Sequence, residues 1–499
     1  MTIVRSPSTD RLTGVASPGI DFAAVRAAQD VPVDFPAEVL AEAERVAGRA
    51  AVPAPGKDLP GVRADRTEIP FVTIDPPGSM DLDQAMHLER SGDGFTVRYA
   101  IADVAAFVAP GGPIDVEAHH RGQTMYCPDD NSPLHPRRLS EGAASLLPDR
   151  VRAAVLWTIE LDAAGAPVRV GLERATIRSV ARLHYAGVQA DAAAGRLHPS
   201  VAALPEIGER RRRAARARHA VALNLPDAEV SRAGDGHWTL ELRAVSPLED
   251  ANAEISLLTG MCAADIMIAG RVGLLRTLPP PAARDIAELR RSATALGIDW
   301  PDGAAPGDVV SRVNGATPRG AAFLEDAVRL LRGAGYAAFD GAVPAQAEHA
   351  GVAARYAHVT APLRRLADRY ATEVCLALSL GHPIPSWARS GLADLPEIMR
   401  SSDRRAAELE RACTWAVVVF LLSDRIGDVF TGSVVQTDTE RDRATVLLLD
   451  PPVRAHAPAR GLTEGATIQV RLTGLDAAGQ AVTVQPVAGD SGVGPVLAG

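Results

Sequence analysis

The sequence predicts an α+β protein with a small all-β module near its C-terminal end, and three observations carry that reading. Runs of β-branched and aromatic residues crowd residues 66–175, helical periodicity takes over from about 180 to 425, and short strand-like runs at close spacing follow over about sixty residues. The length of 499 residues, with 47% hydrophobic and 23% charged side chains, suits a large core and more than one domain.

Each element follows from its local chemistry. In residues 1–60, "FPAEVLAEAERVAGRAA" has helical spacing, and "VPAPGKDLPG" breaks it with proline and glycine, which predicts a small helical N-terminal region. The runs "IPFVTID", "FTVRYAIADVAAFV" and "RAAVLWTIELDAAGAPVRVGLERATI" read as strands, the last interrupted by the turn "DAAG". Helices follow in "SLLTGMCAADIMIAGRVGLL" and "SSDRRAAELERACTWAVVVFLLSDRIG". The runs "DVFTGSVVQ", "RATVLLLD", "ATIQVRLTGLD" and "AVTVQPV" have the rhythm of a small closed barrel of OB-fold type. The predicted domains are residues 1–60, 61–425 and 426–490.

Composition narrows the setting. A net charge of −9 means the whole molecule does not attract nucleic acid, so any attraction must come from local arginine clusters. The basic residues are almost all arginine, with Lys57 the exception. Cys127, Cys262, Cys375 and Cys413 are scattered and form no CxxC pair, which argues against structural zinc or a disulfide framework and suits a reducing cytoplasm. The opening "MTIVRSPSTDRLTG" lacks the apolar core of a signal peptide, and no stretch reads as long and apolar enough to span a bilayer. The expectation is a cytoplasmic protein with no membrane partner.

The chemistry concentrates in "TIDPPGSMDLDQA", where Asp75, Asp81 and Asp83 fall within nine residues after an apolar run. Like charges this close repel, so the cluster implies a bound cation, an arginine partner or exposure to water. Oxygen ligands after a strand suit Mg²⁺, which in phosphodiester cleavage activates water and stabilises the leaving oxygen. A solvated loop with a capping aspartate is the alternative for an isolated motif of this kind.

The motif is not isolated. "TIDPPGSMDLDQA", "YAIADVAAFVAPGGPIDVEAHHRGQTMYCPDD", "SPLHPRRLSEGAASLLPD" and "YAHVTAPLRRLADRYA" occur in this order. Together they resemble the catalytic RNB domain of the ribonuclease II/R family over roughly residues 60–425. The resemblance implies an RNB catalytic domain followed by an OB-fold RNA-binding domain. It also implies Mg²⁺-dependent, processive hydrolysis of single-stranded RNA from the 3′ end to nucleoside 5′-monophosphates, with Mn²⁺ an alternative metal and a monomer as the expected state. It assigns Asp75, Asp81 and Asp83 to the metal site, Asp83 being the one on which catalysis most depends. Arg364, in "APLRRL", would stabilise charge at the scissile phosphate. Tyr126 would stack on a base near the 3′ end, Tyr185 would help distinguish RNA from DNA, and Arg365 joins the RNA-binding set.

The sequence also departs from the family pattern. Gln84 replaces the fourth metal-site aspartate, which removes a charge and weakens the expected metal grip. Ser256 aligns with a glutamate that contacts the terminal ribose, while Glu254 lies roughly 200° around the helix from it. Leu223 aligns with the second stacking aromatic, in keeping with an aromatic content of 4%. About sixty N-terminal residues cannot hold the two cold-shock barrels usual in the family. Gln84 and Ser256 support a rival reading, an RNA-binding protein on a catalytically weakened scaffold; retention of Asp83, Arg364 and Tyr126 opposes it. The missing glutamate alone supports a more distant one, a DNA or broad-range nuclease. The run "ERRRRAARARHA" at 209–220 reads as a solvated helix face, with a channel-mouth patch as its alternative. His358 reads as a satisfied buried histidine.

Overall fold

The computed structural model describes residues 19–48 and 62–487, apart from residues 222, 224–226, 233–237, 244, 316 and 478. Lys57, the "VPAPGKDLPG" breaker and the opening "MTIVRSPSTDRLTG" lie outside the described residues.

Strands β1 (Ala64–Asp65), β2 (Phe71–Asp75), β3 (Gln84–Ser91), β4 (Gly94–Ala102), β5 (Val151–Leu161) and β6 (Pro167–His184) form the central sheet. The long β6 pairs antiparallel with β5 along its first part and parallel with β2 along its last, so the pairings β6-β2-β3-β4-β5 return on themselves. Period-two alternation sorts the side chains onto two cores. Phe95, Val97, Tyr99 and Ile101 of β4 and Val155, Trp157 and Ile159 of β5 face one core, whereas Ala100, Ala102, Ala154 and Leu156 face the other. Both faces being covered explains why these strands read as continuous apolar runs. β3 escaped the sequence reading because its apolar residues alternate with His87, Glu89 and Arg90.

Two helices, α1 (Phe22–Ala28) and α2 (Ala37–Ala47), precede the sheet, and α3 (Pro113–Arg121), α4 (Tyr185–Ala193) and α5 (Leu204–Ala217) are set around it. A hairpin, β7 (Asp227–Arg232) and β8 (Trp238–Arg243), leads to the core helix α6 (Pro247–Gly270), which packs with α5 and with α10 (Leu366–Leu380) over the large-residue face of the sheet. Between them lie the pair β9 (Val272–Thr277) and β10 (Gly335–Asp340), the helices α7 (Ala283–Leu296), α8 (Pro306–Val310) and α9 (Pro318–Ala327), and the short pair β11 (Glu348–His349) and β12 (Ala354–Arg355). α11 (Ser386–Gly391) and the 28-residue α12 (Leu395–Leu422) complete the helical part.

The membrane expectation needs correcting in one respect. Among the described residues, α6 is long and apolar enough by length and composition to cross a bilayer, but half of that window is buried inside the fold. Its apolarity is that of a core helix, contributing Ile255, Leu258, Ala263 and Met267 to the main core.

The predicted closed barrel is present. β13 (Val429–Asp438), β14 (Arg443–Leu448), β15 (Arg454–Ala457), β16 (Thr467–Asp476) and β17 (Ala481–Pro486) close in the order β13-β14-β15-β17-β16. β15, "RAHA", is the strand the sequence hid, being four residues long with an arginine and a histidine in it. The C-terminal half of α12 places Leu409, Cys413, Val417 and Leu422 in an apolar cluster that runs from α1 and β8 into the barrel, and α9 packs on β13, so packing does not divide at residue 425.

The described N-terminal helices are bound into the same cores. Phe22 meets Trp238 edge-on at 5.1 Å between ring centroids, and Val39, Ala43 and Val46 complete the small-residue core. The guanidinium of Arg121 stacks on Phe35 at 3.8 Å and donates to the Pro32 and Asp34 carbonyls.

Candidate active site

The end of β2 starts the site. Asp75 is its last residue and lies opposite His184, the last residue of β6, so the parallel register sets Asp75 beside Tyr185 at the start of α4. The chain then turns through "PPGSM", with Gly78 at φ +91°, a conformation a side chain would disfavour. The next stretch is fixed by its backbone. Leu82 N–H donates to Ser145 Oγ (3.0 Å), whose hydroxyl donates to the Met80 carbonyl (2.6 Å), while Leu146 N–H and Ala102 N–H donate to the carbonyls of Leu82 and Asp83.

Those bonds bury Asp83, whose residue is 4% exposed. Its Oδ1 accepts from Leu363 N–H at 2.7 Å, and its Oδ2 faces Arg364 Nε at 3.6 Å. The four-block spacing of the sequence is thus closed in space, since 280 residues separate Asp83 from Leu363. Burial pushes the Asp83 carboxyl well up, opposed by Arg364 and the Leu363 amide. Burial also raises Asp75, to about 6, with Asp81 adding to it, and burial raises Asp81.

Tyr126 sits on a loop tied to the arginine segment. Thr124 N–H donates to the Arg364 carbonyl (3.0 Å), and a two-way bridge between Met125 and Ser132 closes the loop. The Tyr126 residue is 52% exposed, in the field of Arg364, Asp81 and Asp83. Tyr185 OH accepts from Asn252 Nδ2 at 3.3 Å. Asp75, Asp81, Asp83, Arg364, Tyr126 and Tyr185 are therefore brought to one place.

Three other expected site residues are engaged differently. Gln84 Nε2 donates to the Thr360 carbonyl (2.7 Å), its Oε1 accepts from Tyr99 OH (2.8 Å), and that hydroxyl also meets Ser256 Oγ (2.8 Å). Gln84 and Ser256 are thus joined through Tyr99 in one polar strut linking sheet, α6 and the Thr360 segment. The Arg365 guanidinium makes a two-point pair with Asp368 (2.8 and 2.9 Å), which in turn accepts from Ala361 N–H. Tyr99 was the residue missed, since a buried strand tyrosine has no sequence mark of a partner. Changing Tyr99 to Phe is expected to cost about 1 kcal/mol, because two partly buried polar groups, Gln84 and Ser256, lose their shared partner, and chemical denaturation would read it.

The remaining expectations fall out of the same geometry. Leu223 packs in the α7–α9 core. Glu254 is buried near Arg211 and Arg218. Glu206 and Glu209 pair with Arg210, Arg212, Arg213 and Arg216, while Arg211 is buried against the Gly165 carbonyl, so most of the arginine run on α5 serves the fold. His358 Nδ1 lies 2.7 Å from Tyr336 OH, and burial holds the ring well below the ordinary histidine range, hence neutral.

Among the described residues, no three His, Cys, Asp or Glu side chains converge as a ready-made metal cage. The donors still fit a hard cation: three carboxylates close enough to repel, and an Asp75 Oδ2 that is buried without a hydrogen-bond partner. Tilting these carboxylates toward a bound ion would satisfy that oxygen and offset the repulsion.

Carboxylates at a strand end thus face an arginine loop, and a small closed barrel follows further along the chain. The chain belongs to the RNB domain family, which it matches over residues 63–378, and residues 428–487 match the RNase II-type exonuclease C-terminal S1 domain. It is 28% identical to Ribonuclease R of Escherichia coli K12 over 397 residues, 74% of this chain and 48% of that protein. It is 33% identical to the exosome complex exonuclease RRP44 homolog A of Arabidopsis thaliana over 343 residues, 64% of this chain and 36% of that one. The chain thus spans about half the length, or less, of these relatives. Mycoplasma genitalium RNase R in complex with ribose-methylated single-stranded RNA shares the fold, with a TM-score of 0.80 at 19% identity over 93% of this chain and 77% of that one. Yeast Ssd1, described as a pseudonuclease, has a TM-score of 0.66 at 17% identity over 83% of this chain and 53% of that one.

Proposed function

We propose that this chain is a metal-dependent 3′→5′ exoribonuclease that shortens single-stranded RNA to nucleoside 5′-monophosphates, acting as a monomer in the cytoplasm. The observation that carries the reading is Asp83, held buried by the Leu363 amide and set against Arg364 with Asp75 and Asp81 beside it. Four free cysteines are compatible with a reducing compartment.

Asp75, Asp81 and Asp83 would hold Mg²⁺ or Mn²⁺, which when bound supplies charge neutralisation and an activated water at the scissile phosphate. Arg364 places a fixed positive charge where the transition state gains negative charge, and its partly exposed side chain remains reachable by RNA. The Leu363 amide keeps Asp83 aimed into the site. Tyr126 offers an aromatic face that would stack on any base, and Tyr185, oriented by Asn252, would help seat the terminal nucleotides. Replacing Tyr126 with Ala should raise the KM for RNA about tenfold with a smaller change in kcat, since one stacked base contributes about 1–3 kcal/mol. Initial rates over a range of RNA concentrations would show it.

Two observations favour a second reading, an RNA-binding protein without catalysis. Gln84 is spent on Thr360 and Tyr99, leaving three carboxylates, and the fold likeness extends to a pseudonuclease. A time course on 5′-labelled single-stranded RNA and the matching DNA separates the two readings. A ladder shortening from the RNA 3′ end in Mg²⁺ or Mn²⁺, and lost in chelator, is the expected result. Binding with no cleavage in either metal would establish the second reading.

A further inference from the structure

Cys127 directly follows Tyr126, and its Sγ lies 3.6 Å from Cys413 Sγ, 286 residues away on α12. The two thiols come from different parts of the fold. Cys127 is on the loop closed by the Met125–Ser132 bridge, while Cys413 belongs to the core shared by α12 and the barrel. A third element reaches the pair, because Arg26 of α1 ion-pairs with Asp129 on the same loop and sets its buried guanidinium beside Cys127. Cys127 is partly open to solvent, whereas Cys413 is buried. Cys262 and Cys375 are buried as well, and Cys375 Sγ is directed to the Ala263 carbonyl.

We propose that Cys127 and Cys413 are a reversible redox pair, closed to a disulfide by a peroxide, which pins the Tyr126 loop to α12 and slows RNA trimming. The asymmetry of the pair sets the order of events. The Cys413 thiol and the Arg26 guanidinium bring the Cys127 thiol down, and Cys127 in turn holds Cys413 up, so Cys127 is the thiol that ionises first, while burial pushes Cys262 up to about 12. The Cys127 thiolate attacks one peroxide oxygen, the O–O bond breaks, and sulfenic acid and hydroxide form. Cys413 then gives up its proton and attacks the Cys127 sulfur, expelling the sulfenic oxygen. The two sulfurs lose two electrons, and one peroxide leaves as one water and one hydroxide. The new bond, about 2.0 Å long, draws the sulfurs in from their present separation and joins the loop to the helix that enters the barrel. Two thiol–disulfide exchanges with a dithiol such as dithiothreitol reverse it.

The linkage is independent of the exoribonuclease reading, whereas its effect on trimming rests on that reading, so the two are measured separately. The reduced full-length chain is treated with hydrogen peroxide, its remaining thiols are alkylated after unfolding, and its peptides are mapped without reduction. The expected result is a peptide pair joined through Cys127 and Cys413, with Cys262 and Cys375 alkylated, and no such pair in Cys413→Ser. Trimming of labelled single-stranded RNA should fall on oxidation and recover in dithiothreitol, and a Cys127→Ser chain should keep its rate through the cycle. RNA affinity is read in parallel, so a chain that binds without cleaving still reports on the loop. Oxidation of Cys127 with no linked peptide would overturn the proposal, as would a linked pair that changes neither trimming nor RNA affinity.

Discussion

Replacing Asp83 with Asn is expected to slow RNA trimming by roughly 10²–10³-fold or more, while folding and RNA binding persist. The substitution keeps shape and keeps Oδ1 as the acceptor of the Leu363 amide, so the loop stays in place. What disappears is the charge. An NH₂ group would then face Arg364 Nε where an oxygen stood at 3.6 Å, and the carboxylate set would lose its most buried member. Stability should hold or rise, because a buried charge whose environment favours the neutral form is costly to keep. Loss of activity with an equal or higher melting temperature would separate a chemical role from a structural one. A fall of less than tenfold would remove Asp83 from the chemistry.

The largest stability effect is expected at Arg174. Its side chain, 0% exposed, donates to both oxygens of Asp103 (2.7 and 2.6 Å) and pairs with Glu373 on α10, while Arg63 meets Asp103 from the other side at 2.8 Å. The network fastens β6 to the loop after β4 and to the helix behind the sheet. Replacing Arg174 with Leu leaves Asp103 with one partner and strips Glu373 of its cationic clamp. Breaking a buried pair from one side costs about 3–5 kcal/mol, so urea denaturation should show a clear loss of stability. Replacing Arg174 and Glu373 together by Leu should cost less than the sum of the separate changes, because neither partner is then left charged and alone.

Much of the site could be read from the chain because its residues lie in short motifs whose order survives without coordinates. Asp75, Asp81, Asp83 and Arg364 are legible in this way, and the structure spans the 280-residue gap with a hydrogen bond from the Leu363 amide to the Asp83 carboxylate. The strands with continuous apolar runs were equally legible, since both faces of the sheet are covered. What could not be read was how amide and guanidinium groups are spent. Gln84 and Arg365 stand next to motif residues and Ser256 lies on a core helix, yet each answers to a partner chosen by the fold: Tyr99 for Gln84 and Ser256, Asp368 for Arg365. Adjacency in sequence sets position along a strand or turn, whereas hydrogen-bond partners depend on what packs across from it. β15 was hidden for a related reason, since a four-residue strand carries too few alternations to register as a pattern.

The helix α12 has a mechanical meaning. Its 28 residues make a rod of about 42 Å. Its C-terminal half shares an apolar cluster with α1, β8 and the barrel, and α9 packs on β13, so the barrel is seated on the helical part rather than tethered. Severing the chain at residue 425 would strip Val435 from the α7–α9 core, bare apolar side chains to water and invite aggregation instead of releasing a trimmed, soluble core. A strand of nucleic acid crossing from barrel to carboxylates would therefore travel along a rigid frame, its path set by a girder and not by a hinge.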